Sequence, residues 1–326
     1  MSFISVLLAL LLEQARPLSR GNLVHASFRA WVRWSTRNFD AGKSFYGWLA
    51  WGFAVTGPSL LAMAIYWLFD VFLGWPVAVL WSVMVLYITL GFRQFSFHFT
   101  QIRDALADGD EDHARVLLAE WQQIDASDLP RSEIVRHVIE HSVLSAHRHV
   151  FGVLAWFSVL AAFGFGPAGA VMYRLSEFVV RYWQHKTKTH QPVSDALQAC
   201  AVQAWAVIDW VPARITAISF AVVGSFEEVV DSWRNYEPRF PGDNDGIILS
   251  ATAGAVNIKL GDAASQASYP VDAIPTVAGT LETTPPTASG QSPELAHLAV
   301  IVGLVWRTVV MWMVLLALLT LARLLG

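Results

Sequence analysis

Residues 44–69, SFYGWLAWGFAVTGPSLLAMAIYWLF, contain no charged side chain over 26 consecutive positions. An α-helix rises 1.5 Å per residue, so about 20 apolar residues are enough to cross the roughly 30 Å of hydrocarbon in a bilayer. This stretch is therefore long enough to cross a membrane as one helix. It predicts that the chain folds in lipid.

The composition of the whole chain supports this prediction. Of the 326 residues, 55% are hydrophobic and only 15% are charged, a balance typical of proteins with several membrane spans. The formal net charge is −4, so the chain lacks the broad basic surface that nucleic acid requires. Cys200 is the only cysteine, which excludes an intrachain disulfide.

Two further stretches are uncharged and long enough to span, namely residues 71–92 and 150–173. We expect the first of them to form a hairpin with the preceding span, turning near Asp70. Residues 196–226 and 298–325 are also apolar, but each contains two charged side chains. These two segments should span only if their charges face protein or water, or reach the headgroups.

The fold class predicted from this pattern is an all-α integral membrane protein, with four to five transmembrane helices and additional amphipathic helices at the interface. A short apolar run near the N-terminus predicts an uncleaved interfacial helix. Proline, glycine, serine and threonine dominate residues 262–293, which predicts a flexible linker. The predicted segments are N-terminal interfacial helices at 1–43, a transmembrane hairpin at 44–92, a polar helical segment at 93–149, transmembrane and amphipathic helices at 150–234, a loop and linker at 235–293, and a C-terminal transmembrane helix at 294–326.

The distribution of lysine and arginine predicts the orientation in the membrane. Residues 14–43 and 93–149 hold six basic side chains each, whereas residues 174–195, on the opposite side, hold four. We therefore expect the first two segments to face the cytoplasm, in a multi-pass protein of the bacterial inner membrane.

Two pairs of residues on the polar segment are candidates for chemistry. His137 and His141 are one helical turn apart and could share a metal, but a solvated helix face explains them as well, and we predict no metal site. Arg136 and Glu140 have the same spacing, which suits a surface ion pair.

Asp209 and Arg214 are more informative, because ionisable residues in a spanning segment often mark ligand sites or transport pathways. They flank Pro212 and lie five positions apart, so they do not stack on a straight helix. The sequence is compatible with two roles for this pair, a purely structural link or a part in a ligand site. A transporter would require paired broken segments in two halves, and the sequence shows none.

A basic stripe is also evident near the N-terminus. Arg29, Arg33 and Arg37 recur every fourth residue beside Trp31 and Trp34. This pattern suits a helix lying on anionic headgroups, although a plain solvated face would explain it too.

Five short motifs follow one another in a fixed order along the chain. They are Ile134, Arg136, Val138 and Glu140; then Gly164, Gly166 and Pro167 with Tyr173 and Arg174; then Pro212, Ala213 and Arg214; then Ala253, Gly254 and Ala255; and finally Lys259, Leu260 and Gly261. In their order and spacing they resemble the CobD/CbiB superfamily of membrane proteins. That superfamily includes the adenosylcobinamide-phosphate synthases of the cobalamin pathway and the AmpE proteins associated with β-lactamase regulation.

The departures from the synthase pattern bear on function. Synthases carry acidic or amide side chains at several positions that are different here. These positions are Leu144, Ser145, Arg148, Glu177, Val180, Trp205, Ala206 and Leu249. Joining an amine to a carboxylate with ATP needs oxygen ligands for Mg²⁺, and the chain also lacks a phosphate-binding loop around Lys43. By contrast, the stretch from Ile208 to Arg214 looks closely like its AmpE counterpart.

The resemblance therefore implies a noncatalytic or diverged, AmpE-like regulatory or ligand-binding protein. The alternative is an adenosylcobinamide-phosphate synthase that joins aminopropanol phosphate to adenosylcobyric acid, and only this alternative would require MgATP. The candidate ligand-binding residues are Arg136, Glu140, Asp209 and Arg214, which we expect to converge on one polar pocket. The expected partners are the lipid bilayer and an anionic small molecule or corrinoid, and a homo-oligomer is compatible with the sequence.

Overall fold

The computed structural model describes residues 2–15, 23–188, 193–238, 240, 242–261 and 290–325. The described residues form α-helices and contain no strand beyond one isolated bridge between Ile258 and Gln291. Most of the predicted linker, residues 262–289, lies outside the described residues. The helices are α1 (Ser2–Ala15), α2 (Leu23–Phe39), α3 (Ser44–Phe72), α4 (Trp75–Thr89), α5 (Phe92–Ala107), α6 (Glu111–Gln122), α7 (Arg131–Ala146), α8 (Gly152–Ala162), α9 (Ala168–Lys188), α10 (Asp195–Val223), α11 (Phe226–Tyr236), α12 (Asn244–Val256) and α13 (Leu295–Leu325).

Four helical stretches among the described residues are long and apolar enough to cross a membrane. They are Ser44–Phe72, Arg131–Ala162, Asp195–Val223 and Leu295–Ala322. The predicted all-α integral membrane fold is therefore confirmed. Both conditional spans, α10 and α13, meet the requirements of length and composition, and α10 continues through Pro212 without a break.

The third span differs from the prediction of residues 150–173. Helix α7 continues through a π-helical turn, His147–Phe151, into α8, so the apolar stretch begins earlier in the chain. It ends at Ala162 because Gly164 and Gly166 adopt positive φ angles of 82° and 57°, which a right-handed helix does not contain. The polar helix α7 is thus part of a candidate span.

The second predicted span, residues 71–92, is also shorter in the structure. Gly74 has a φ of 87° and Pro76 occupies the first turn of α4, where a missing N–H costs no hydrogen bond. Leu90 is extended and ends the helix. The 15 residues of α4 reach only about 22 Å, which is less than the hydrocarbon thickness.

The chain divides into two compact units. Unit 1 contains Met1–Arg93, Arg148–Asp209 and Met313–Gly326, and unit 2 contains Gln94–His147 and Trp210–Trp312. In unit 1, α3 packs against α2, α4 and α9, while α8 packs against α9 and α1 packs against α4.

In unit 2, α12 packs against α11 and α7, and α6 packs against α7. Its core includes small and aliphatic side chains around Tyr236, among them Ala217, Val229 and Ile247. The Tyr236 hydroxyl donates a 2.5 Å hydrogen bond to Asp243, which also caps the N-terminus of α12 by accepting from the Gly246 N–H. Burial, together with the neighbouring charge of Asp245, raises the pKa of Asp243.

One glycine sets how closely α9 approaches α8. A Cβ on Gly169 would overlap the carbonyl of Trp156, whereas a Cβ on Gly52 of α3 would meet no atom within 4 Å. Both glycines lie within helices, but only Gly52 has room for a Cβ atom.

We predict that Gly169→Ala lowers the stability of the protein in detergent and that Gly52→Ala does not. Overpacking typically costs about 1–3 kcal/mol, which exceeds the roughly 1 kcal/mol that alanine gains over glycine in a helix. Thermal melts of the two variants beside the wild type measure the difference. Equal melting temperatures for the two variants would show that the close α8–α9 approach does not constrain the fold.

Candidate functional site

Two of the four predicted site residues, Arg136 and Glu140, lie side by side on α7. They are only 4% and 2% exposed, so the alternative of a surface ion pair does not hold, and α12 packs against α7. The Arg136 Nε atom lies 3.9 Å from Glu140 Oε1, and Arg136 also pairs with Glu133. Glu140 further accepts a 2.9 Å hydrogen bond from the Gly261 N–H.

Arg214 is held by partners that the sequence did not indicate. Its guanidinium pairs with Glu237 at 2.8 Å and donates to Asn244 Oδ1 at 3.1 Å. The guanidinium carbon also lies 4.1 Å from the centre of the Trp210 ring. Arg214 and these three partners all belong to unit 2. The counter-charge of Arg214 is therefore Glu237 and not Asp209.

Asp209 is fully buried in unit 1. Its carboxylate accepts a 2.7 Å hydrogen bond from the hydroxyl of Tyr173, which is itself fully buried. The Tyr173 ring packs against Trp205 and lies so close to Gly152 that a Cβ there would overlap it. Arg136, Glu140 and Arg214 belong to unit 2, and the convergence of all four residues on one pocket stays a prediction.

A second charged group in unit 1 surrounds Glu177, whose side chain is fully buried. Arg174 lies three residues before it and Arg181 four residues after it, so both share its face of α9. The Arg174 Nη1 atom is 2.5 Å from Glu177 Oε2, and Arg181 pairs with the other oxygen. Arg148, on the π-helical turn, adds a third guanidinium whose charge acts on Glu177. We call Arg148, Arg174, Glu177 and Arg181 the arginine cluster.

The electrostatics of this cluster favour an ionised glutamate. Burial on its own raises the pKa of Glu177, but the charges of Arg181, Arg174 and Arg148 outweigh it and hold the pKa below its ordinary value. Three guanidinium groups therefore act on a single carboxylate. Asp209 adds a second carboxylate nearby, since its charge acts on Tyr173 together with those of Arg148 and Glu177. The guanidinium groups themselves present donors that suit carboxylate or phosphate oxygens.

Gln184 extends the same face of α9 by one further turn. It is 8% exposed, and within the described part of the chain neither its amide nitrogen nor its amide oxygen has a hydrogen-bond partner. An unsatisfied buried amide is uncommon in folded proteins and calls for an explanation such as a water or a ligand.

The histidines of α7 do not form a metal centre in the described part of the chain, where no group of three or more His, Cys, Asp or Glu side chains is placed to hold a metal ion. The carbonyl of His137 accepts a 3.0 Å hydrogen bond from Gln122. The ring of His141 makes an edge contact with Trp121 at 4.5 Å.

The sequence contained one signal for the arginine cluster that the prediction of the site did not use. Arg174, Glu177 and Arg181 follow a three and four spacing, and Tyr173 and Arg174 stand within a family motif. Nothing in the spacing indicated Arg148, because a π-helical turn on a different helix brings it to the cluster.

We predict that Glu177→Gln destabilises the protein by about 3 kcal/mol, because breaking a buried ion pair leaves guanidinium charge uncompensated. The matched control is Glu120→Gln on the exposed face of α6, which should change stability by less than about 0.5 kcal/mol.

The pH dependence follows from the lowered pKa of Glu177. The stabilisation is complete above the ordinary glutamate pKa of about 4.3 and is lost as the pH falls through the lowered value. The difference between wild-type and Glu177→Gln melting temperatures should therefore stay constant from pH 7 to pH 5. A difference that vanishes within that range would contradict an ionised Glu177.

Comparison with known proteins places these residues in a family. The family described as CobD/Cbib protein matches residues 6–276. The chain is 29% identical over 283 residues to the cobalamin biosynthesis protein CobD of Stutzerimonas stutzeri, covering 86% of this chain and 84% of the relative. It is 28% identical over 230 residues to the CobD protein of Chromobacterium violaceum, covering 71% and 67%. No solved structure matches the chain. The chain belongs to the CobD/Cbib family.

Proposed function

We propose that this protein is a chemically diverged member of the CobD/Cbib family that binds an anionic small molecule of the corrinoid pathway through buried arginines. In this proposal it does not couple ATP hydrolysis to amide formation. Its multi-pass helices lie in the bacterial inner membrane.

The observation that carries the proposal is the position of Arg148. It stands where the resemblance to the synthases leads us to expect an aspartate, and its charge acts on Glu177 within the arginine cluster. An aspartate there would help to hold Mg²⁺, whereas an arginine binds carboxylate or phosphate oxygens directly. The exchange therefore changes how an anion is neutralised while keeping a site that favours one.

Two further observations support an anionic ligand. The cluster contains three guanidinium groups, and each has a planar set of N–H donors that can bind the oxygens of an anion. The unpaired amide of the buried Gln184 lies on the same face of α9 and could donate a hydrogen bond to the same ligand. The four residues predicted from the sequence, Arg136, Glu140, Asp209 and Arg214, stay in the proposal as ligand-binding candidates.

The comparisons give no support to the noncatalytic, AmpE-like interpretation. The relatives reported above carry the name cobalamin biosynthesis protein CobD, and the match to the first of them covers most of both chains. We therefore restrict the leading proposal to ligand binding in the corrinoid pathway.

The match to CobD over most of both chains favours a second candidate function. A working synthase would join aminopropanol phosphate to adenosylcobyric acid and would need MgATP. For this candidate, carboxylates such as Glu140 and Glu237 of unit 2 would have to hold Mg²⁺. The described partners of Glu140 and Glu237 are protein N–H and guanidinium groups, which compete with a metal for the same oxygens.

Complementation distinguishes the two candidates. We expect the wild-type gene not to restore cobalamin synthesis in a strain that lacks the synthase, because oxygen ligands for Mg²⁺ are missing at the family positions. We also expect no saturable micromolar binding of MgATP to the purified protein. Complementation together with MgATP binding that is lost in Glu140→Gln would establish the synthase instead.

Binding of adenosylcobyric acid tests the leading proposal directly, by equilibrium dialysis in detergent. Arg148→Gln should weaken binding about tenfold, as expected for losing one charge-assisted hydrogen bond, and Arg148→Lys should weaken it less. Arg103→Gln provides the matched control, since Arg103 is exposed and pairs with Asp104 in unit 2. Absence of binding by the wild type would remove a corrinoid as the ligand.

A further inference from the structure

The exposed face of α2 carries a line of cations for which the described part of the chain supplies no counter-charge. Arg29, Arg33 and Arg37 are all exposed, and none forms an ion pair with a residue that the structure describes. Unpaired arginines at a regular spacing of four create a strip of positive potential along one side of the helix.

Two of these arginines line a surface cavity of about 480 Å³. The cavity is formed along one face of α2 by Ala30, Arg33, Trp34, Arg37 and Asn38, which follow a three and four spacing. The Asn38 amide nitrogen donates a 2.7 Å hydrogen bond to the Trp34 carbonyl. This cavity is separate from every residue used in the proposed function.

The face of α2 next to the cavity is fixed to α3. The Trp31 Nε1 atom donates to the Ala54 carbonyl at 3.3 Å, and the Ser35 hydroxyl donates to the Ala50 carbonyl at 2.8 Å. From the first of these hydrogen bonds to the second, the residue number rises on α2 and falls on α3. The two helices therefore run antiparallel.

The pairing of α2 with α3 shows where the cavity lies along α3, and therefore how far it is from the headgroup region of the membrane. Continuing this pairing places Arg33 and Arg37 beside residues 52 and 48 of α3, at the level of Trp48 and Trp51. Tryptophan and tyrosine concentrate where a span meets the headgroups, and α3 has a second such pair, Tyr66 and Trp67, near its other end. The 29 residues of α3 measure about 43 Å, which exceeds the roughly 30 Å of hydrocarbon.

The surroundings of the cavity also fit an acyl chain. Phe45, Trp48 and Phe53, at the same end of α3, are 69%, 44% and 48% exposed. Trp34 is 47% exposed and stacks with Trp31 at 5.3 Å. Apolar surface next to unpaired guanidinium groups matches a lipid, in which a phosphate and hydrocarbon chains are joined.

We infer that the cavity on α2 binds the headgroup phosphate of an anionic phospholipid, with Arg33 and Arg37 as its ligands. Each guanidinium presents a planar set of donors that suits phosphate oxygens. The Trp34 ring covers the glycerol region, and the aromatic surface of α3 contacts the chains.

The experiment titrates short-chain phosphatidylglycerol into the purified protein in detergent and follows the melting temperature, with phosphatidylcholine and inorganic phosphate in parallel. We expect phosphatidylglycerol to raise the melting temperature more than phosphatidylcholine does, and phosphate alone to have little effect. The double variant Arg33→Gln/Arg37→Gln should bind phosphatidylglycerol at least about tenfold more weakly. The corresponding double lysine variant, which keeps the charge and loses the fork geometry, should fall between the two.

Arg103→Gln is the matched control and should respond to phosphatidylglycerol like the wild type. An equal response to phosphatidylglycerol and phosphatidylcholine would overturn the inference, as would an unchanged affinity in the double glutamine variant. An equally large response to inorganic phosphate, lost in the same variant, would show a site for the free ion instead of a lipid.

Discussion

Neutralising charge inside an apolar chain is the constraint on which the rest of this structure depends. A charged side chain in hydrocarbon costs several kcal/mol unless a partner or water compensates it. Helix α7 satisfies this requirement within a candidate span, because Arg136 is flanked by Glu133 and Glu140 one turn away on either side. Arg214, within the α10 span, is matched by Glu237. These two arginines in apolar segments therefore each have a counter-charge within their own unit.

The sequence was sufficient for the features that depend on local composition. The uncharged run from Ser44 predicted α3 because length and hydropathy alone decide whether a helix can cross a bilayer. The break between α5 and α6 falls at Asp108 to Asp110, and α7 begins directly after Pro130, because the preferred backbone conformations of these residues do not continue a helix. Residues 150–162 of the predicted third span lie in a candidate span, but that span begins at Arg131, because periodicity does not reveal that a π-helical turn joins α7 to α8.

Features that depend on contacts between helices could not be predicted. Arg136 and Glu140 had the spacing of an exposed pair, but both are buried on a helix against which α6 and α12 pack. Glu237 neutralises Arg214 from 23 positions away, on a stretch that the sequence marked as the start of a loop. Asp209 seemed to be the natural partner of Arg214, but its described hydrogen bond comes from Tyr173. A carboxylate and an arginine near each other in sequence are therefore poor guides to which charges meet in space.

The distribution of arginine gives this chain a character that its net charge of −4 conceals. In the arginine cluster, buried and partly buried guanidinium groups surround one fully buried carboxylate, so their desolvation is offset by strong local attraction. On α2 the arginines are exposed and have no counter-charge among the described residues, so water or an external anion must solvate them. Burial makes the first group sensitive to loss of Glu177 and insensitive to salt, while exposure makes the second sensitive to salt and indifferent to any single carboxylate of the protein. One residue type thus supports two different kinds of anion recognition, and the local dielectric decides which kind each position provides.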